Sequence, residues 1–142
     1  LYYNLMSRKG VTPDAARTIV RTRNTVIGAL AVKKGDADAM VCGYVGIYER
    51  HLQYCVDILG LRKDITSPCA VQLLVTPHKT LFIADTEVLL EPSASQISEI
   101  VKLSSGVVRS FGINPKVALL SHSNFGSHKD LKVKKMQQKN IL

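Results

Sequence analysis

Small hydroxyls, an amide, an imidazole and a glycine crowd one stretch near the end of the chain: Ser121, His122, Ser123, Asn124, Gly126 and Ser127. These side chains donate and accept hydrogen bonds without bulk, and Gly126 lets a ligand approach the backbone. The stretch follows Lys116 to Ser121, an apolar run that reads as a buried strand. In open α/β sheets ligands collect beyond the carboxyl ends of strands. A helix starting near Ser127 or His128 would aim free amides at an anion. The chemistry this predicts is phosphate binding; a polar turn that only caps a helix satisfies the same residues.

Two further loops qualify by the same rule. Gly43-Tyr44-Val45-Gly46 follows the short apolar run Ala39 to Cys42, which reads as a strand, and Gly43 is its candidate ligand residue. Asp85 and Thr86 close the second arm of a predicted hairpin, where Asp85 either meets a ligand or caps the turn. None of these spacings defines a nucleophile–base pair or a carboxylate pair. GxGxxG and GxxxxGK[ST] are both absent, so dinucleotide and P-loop binding find no support. His51, His78, His122 and His128 fall in no zinc spacing, so no metal site is predicted. Cys42, Cys55 and Cys69 are odd in number and far apart in sequence, which predicts reduced core thiols.

The elements that must position these loops are legible in part. Thr12-Pro13-Asp14 starts a helix that ends near Arg23. A second begins at Asn24 or Thr25, with Val26, Ile27, Leu30 and Ala31 on one face and Gly35 as its stop. Tyr48, Leu52, Cys55, Val56 and Leu59 recur at helical spacing before Gly60. Residues 62–68 read as a connection. Residues 71–76 and 80–84 read as strands joined across Pro77-His78-Lys79. Ser93 and Gln96 have capping-box spacing, and Ile97, Ile100, Val101, Val107, Val108 and Phe111 form the expected buried face of the helix that follows, closed by Gly112. A basic helical stretch is expected from Lys129. Helices alternating with short strands predict a layered α/β fold, and the hairpin makes its sheet mixed.

With 142 residues, 46% of them apolar, the chain has the material for one core. No apolar run approaches the roughly 20 residues of a membrane span, and no signal-like succession opens the chain. The net charge of +8 raises nucleic acid as a partner. The basic residues fall mainly near the two ends, without the interleaved aromatics that stack bases, so solvated helix faces or a phosphate-bearing small ligand are expected instead. Leu1 and Ile141-Leu142 carry no natural punctuation, the expectation for a piece of a longer polypeptide.

Arg8-Lys9-Gly10-Val11-Thr12, Thr25-Val26-Ile27-Gly28-Ala29, residues 35–43, Val45-Gly46, Phe82-Ile83-Ala84-Asp85-Thr86, Glu91-Pro92, residues 111–118 and the Leu119 to Ser127 run together resemble the phosphate acetyltransferase family. The segments occur in the family's order across nearly the whole chain. Tyr44 to His51 after Gly43, and His122-Ser123-Asn124 after Ser121, are similar to the branch fused to NADP-dependent malic enzymes rather than to stand-alone phosphotransacetylases. The resemblance implies a three-layer α/β/α, isocitrate-dehydrogenase-like fold. Residues 1–42 would end one subdomain and 43–142 would form part of a second. It implies acetyl-CoA or a related phosphorylated ligand as partner, a cytoplasmic homo-oligomer, and NADP with a divalent metal (Mg or Mn) held elsewhere in the parent enzyme. The family's catalytic serine–arginine and aspartate residues belong to a later segment, so this chain alone is expected to transfer no acetyl group.

Overall fold

The computed structural model describes residues 1–120, so the Ser121 to Ser127 run and the expected basic helix lie outside the described residues. The chain forms two compact units, 1–64 and 65–142.

The first unit is helical. Helix α1 (Tyr2–Met6) leads through a 3-10 turn at Ser7–Lys9 into α2 (Pro13–Thr22) and α3 (Asn24–Lys34), and α4 (Tyr48–Leu59) follows a long loop. Thr12 caps α2 by accepting from the Ala15 amide at 3.3 Å, with Pro13 at the first helical position. Helices α3 and α4 end at Gly35 and Gly60, as their glycines predict. Tyr2, Met6, Ala16, Val26, Ala29 and Ile58 make the core, so all four helices contribute to it. An ion pair from Lys9 to the mostly buried carboxylate of Asp57 joins the 3-10 turn to α4. Lys33 Nζ donates to the Leu59 carbonyl at 3.2 Å and joins the far ends of α3 and α4.

The second unit holds the hairpin and one long helix. Strands β1 (Val71–Val75) and β2 (Thr80–Ala84) pair antiparallel, with Val71 opposite Ala84 and Val75 opposite Thr80. Thr76 closes the turn: its amide and hydroxyl both donate to the Lys79 carbonyl, at 3.0 and 2.7 Å. Helix α5 (Ala94–Ser110) opens with the expected capping box, Ser93 accepting from the Gln96 amide while its own amide donates to Gln96 Oε1 at 2.8 Å. Ile97 and Val108 are buried, and Phe111 meets Phe82 of β2 edge-on, ring centroids 5.3 Å apart.

Helices with a small antiparallel sheet are compatible with the α/β class. The expected mixed sheet does not form among the described residues, where β1 and β2 are the only strands. Residues 39–42 and 116–120 are in no strand, and they are largely exposed: Val41 is 103% accessible and Leu120 82%. A strand exists only when a neighbour takes its backbone hydrogen bonds, and neither segment has one there. The same exposure corrects Cys42, which is not a core thiol; Cys55 and Cys69 are half-buried. On α3 the buried residues are Thr25, Val26 and Ala29, while Ile27 is exposed, a face turned by about one position from the expected one. Val107 and Phe111 likewise sit outside the buried stripe of α5. On α4 the deepest residue is Ile58 at 1% accessible, which the periodicity passed over.

Ile58 and Val26 are the largest fully buried side chains among the described residues. Ile58→Ala should cost about 3 kcal/mol in urea unfolding, since the cavity would open between packed helices. The exposed Ile27→Ala should stay within about 0.5 kcal/mol of the parent chain. Equal losses at both positions would contradict this core.

Candidate functional site

Asn24 and Thr25 open α3, and His51 lies in the first turn and a half of α4. Between the two helices the chain runs through Met40 to Val45, and these residues line a cleft of about 360 Å³ with Asn24, Thr25, Gly28 and His51. That volume is within the range of small-molecule sites, about 300–1,000 Å³. Gly28 lets the wall come close: a Cβ there would meet Met40 Sδ at 3.2 Å.

His51 is the fastening. Its Nε2 lies 3.0 Å from the Val45 carbonyl, and its Nδ1 lies 2.6 Å from the Thr25 hydroxyl. A carbonyl only accepts, so Nε2 carries the proton. In the neutral ring Nδ1 then accepts from the threonine hydroxyl. The relay joins α3, α4 and the loop through one side chain. Gly46 is part of it. Its φ is +120°, and a Cβ would come within 2.7 Å of His51 Nε2. A hydroxyl donating to an imidazole has the form of a nucleophile–base pair. Both residues are in the cleft wall, but Thr25 is only 6% accessible, so the pair serves to position the loop.

The second unit contains a different feature. Asp85 follows β2 with φ +53°, and its amide donates to the Ala70 carbonyl at 2.7 Å. Both of its carboxylate oxygens are buried, with no hydrogen-bond partner among the described residues. Nearby, Glu99 is occupied: it accepts from the Thr66 amide at 2.9 Å and from the Thr66 hydroxyl. Cys69 lies near enough to both acids to feel their charge. Burial first, then Asp85 and Glu99, pushes its thiol above the usual range, so it is a poor thiolate. A buried carboxylate without a donor is costly, and such groups collect at functional sites.

The structure places Gly43 in the wall of the first unit's cleft and Asp85 beside exposed Thr86 at the end of the hairpin in the second. Ser121, His122, Ser123, Asn124, Gly126 and Ser127 lie outside the described residues. Thr25 and His51 were not foreseen as partners, being 26 residues apart. The available signal was weak: two polar residues in first helical turns on either side of a glycine loop. No group of three or more His, Cys, Asp or Glu that could hold a metal exists among the described residues.

Gly46→Ala should break the His51–Val45 contact and speed proteolytic cleavage between residues 43 and 47 several-fold, whereas Gly10→Ala, at open φ +84°, should leave that cleavage rate unchanged. Asp85→Asn should stabilise the ligand-free chain by about 1 kcal/mol in urea unfolding, because an amide removes the uncompensated charge and tolerates the left-handed backbone. A destabilised Asn variant would mean that the carboxylate has a partner.

The model of the phosphate acetyl/butaryl transferase family matches residues 1–141. Over 126 residues the chain is 49% identical to an NAD-dependent malic enzyme of Rhizobium meliloti, which covers 89% of this chain and 16% of that enzyme. It is 44% identical to an NADP-dependent malic enzyme of Escherichia coli, covering 96% of this chain and 18% of that enzyme. A phosphate acetyltransferase of Synechocystis is 33% identical over 96% of the chain and 20% of its own length. The chain thus spans less than a fifth of the malic enzymes it matches. Across its whole length its sequence pattern is that of one family, and the chain belongs to the phosphate acetyl/butaryl transferases.

Proposed function

We propose that this chain is part of the regulatory domain of a multidomain malic enzyme, where it binds acetyl-CoA and helps to build the homo-oligomer. The observation that carries this is the gradient of identity. Malic enzymes match at 42–49%, against 30–34% for phosphate acetyltransferases. The parent would oxidise malate to pyruvate and CO2 in the cytoplasm. The nicotinamide coenzyme and the Mg or Mn ion would be held by its other region. The expected coenzyme is NADP. Relatives named for NAD and for NADP both match, so comparing malate oxidation with the two coenzymes decides it.

Under this reading the fold of the complete domain is three-layer α/β/α and isocitrate-dehydrogenase-like, with 1–42 and 43–142 in successive subdomains. The exposed apolar runs at 39–42 and 116–120 support it: both have strand composition and lack only neighbours. The cleft also draws residues from each side of position 42. Regulation requires acetyl-CoA to bind two states of the assembly with different affinities. Ser121, His122, Ser123, Asn124, Gly126 and Ser127 are the proposed phosphate-binding residues, with Asp85, Thr86 and Gly43 as further ligand contacts.

A second reading is favoured by the family model itself: acetyl transfer from acetyl-CoA to phosphate. Of the hydroxyl–imidazole pair in the cleft wall, Thr25 is only 6% accessible, so formation of acetyl phosphate by the full-length protein would be needed to support it. A third reading, pure assembly, draws on the exposed Leu73, Leu74, Val75, Leu81 and Ile83 of the hairpin. It requires that deleting the domain change oligomer size and leave the response to acetyl-CoA intact.

Calorimetric titration of the full-length enzyme with acetyl-CoA should show binding and a parallel fall in malate oxidation. Replacing Ser121, Ser123 and Ser127 together by Ala should weaken that binding at least about tenfold. Absence of heat with unchanged malate oxidation would refute the regulatory assignment.

A further inference from the structure

Two of the three cysteines, distant in sequence, are neighbours in the fold. Cys42 is exposed in the wall of the cleft. His51, Cys55 and Ile58 follow one another at i, i+4 and i+7 on α4, so they share the face that meets α3 and the incoming loop. His51 lines the same cleft as Cys42, and Cys55 lies one turn beyond it. The side chains of Cys42 and Cys55 stand within hydrogen-bonding reach of each other. Cys69 is in the other unit, beside Asp85 and Glu99.

We propose that Cys42 and Cys55 are a reversible redox pair whose disulfide closes residues 42–55 into a loop and fixes the wall of the cleft. This inference is independent of the acetyl-CoA reading.

The chemistry follows from exposure. The thiolate is the nucleophile, and Cys42 is the thiol that an oxidant in solution reaches. Burial first, then the adjacent Cys42, raises the Cys55 thiol, so Cys55 keeps its proton and the exposed Cys42 is the sulfur that meets the oxidant. With hydrogen peroxide as oxidant, the Cys42 thiolate attacks one oxygen, the O–O bond breaks, and hydroxide leaves and is protonated to water. Cys42 is then a sulfenic acid. The Cys55 sulfur attacks the Cys42 sulfur, the S–O bond breaks, and a second water leaves with the Cys55 proton. Two thiols and one peroxide become one disulfide and two waters. The His51 bond to Val45 lies inside the closed loop, so the same residues are held twice. In a reducing compartment such a bond is transient, as a switch requires.

Arg50 separates the two cysteines, so trypsin releases them on different peptides, 35–50 and 51–62. The full chain is treated with a small excess of peroxide, its thiols are counted with Ellman's reagent, and unreduced peptides are mapped. Reactive thiols should fall from three to one, with 35–50 joined to 51–62, and dithiothreitol should restore all three. Cys69→Ser should still form the link. Cys55→Ser should stop Cys42 at a sulfenic acid that dimedone traps. Oxidation of Cys42 to sulfinic acid with Cys55 free, a link from Cys55 to Cys69, or a link only between chains would each overturn the proposal.

Discussion

One imidazole determines the shape of the first unit's cleft. His51 reaches back from α4 to the carbonyl of Val45 and across to the hydroxyl of Thr25, so both ring nitrogens are engaged. Each bond contributes only about 1 kcal/mol net. Their joint effect is geometric: the part-buried bond to Thr25 fixes the ring between α3 and α4, and the bond to Val45 ties the loop to that fixed ring. The tight approach at Gly46, the position of Gly43 and the nearness of Cys42 to Cys55 all follow from where this ring sits. Packing supplies the foundation, because Val26 and Ile58, near Thr25 on α3 and one turn beyond Cys55 on α4, hold the two helices together.

Asp85 is the converse case. In the cleft every polar group of the relay is satisfied, whereas at the end of β2 a carboxylate is buried without a donor among the described residues. A chain that keeps such a group is holding a cost of folding that a partner can repay. Partner and cost are linked: whatever donates to Asp85 binds more tightly because the charge is already desolvated and held in place.

The local signals of helix and turn were legible in the residues. Thr12 with Pro13, Ser93 with Gln96, and the closing glycines of α3 and α4 state their chemistry within three or four positions, and the structure realises each of them. Helix α1 went unread, although Tyr2 and Met6 have the i, i+4 spacing, because five residues are too few for a pattern to stand out. Residues 39–42 and 116–120 misled for a different reason. Their composition is that of strands, but a strand is a relation between two segments, and composition describes only one. The candidate site shows the same division. Gly43 and Asp85 could be picked from loop position alone. Thr25 paired with His51, and Cys42 with Cys55, depend on how α3 meets α4, which no local spacing encodes.

The account therefore rests on the tautomer and fixed position of His51, and nitrogen-15 NMR of the imidazole reports both. In the neutral ring the two nitrogens should give separate resonances, with Nε2 protonated and Nδ1 at the shift of a hydrogen-bond acceptor. Coupling across the bond to the Val45 carbonyl should accompany them. An Nδ1-protonated ring, or a single pair of averaged shifts like those of free histidine, would contradict the relay and the cleft built on it.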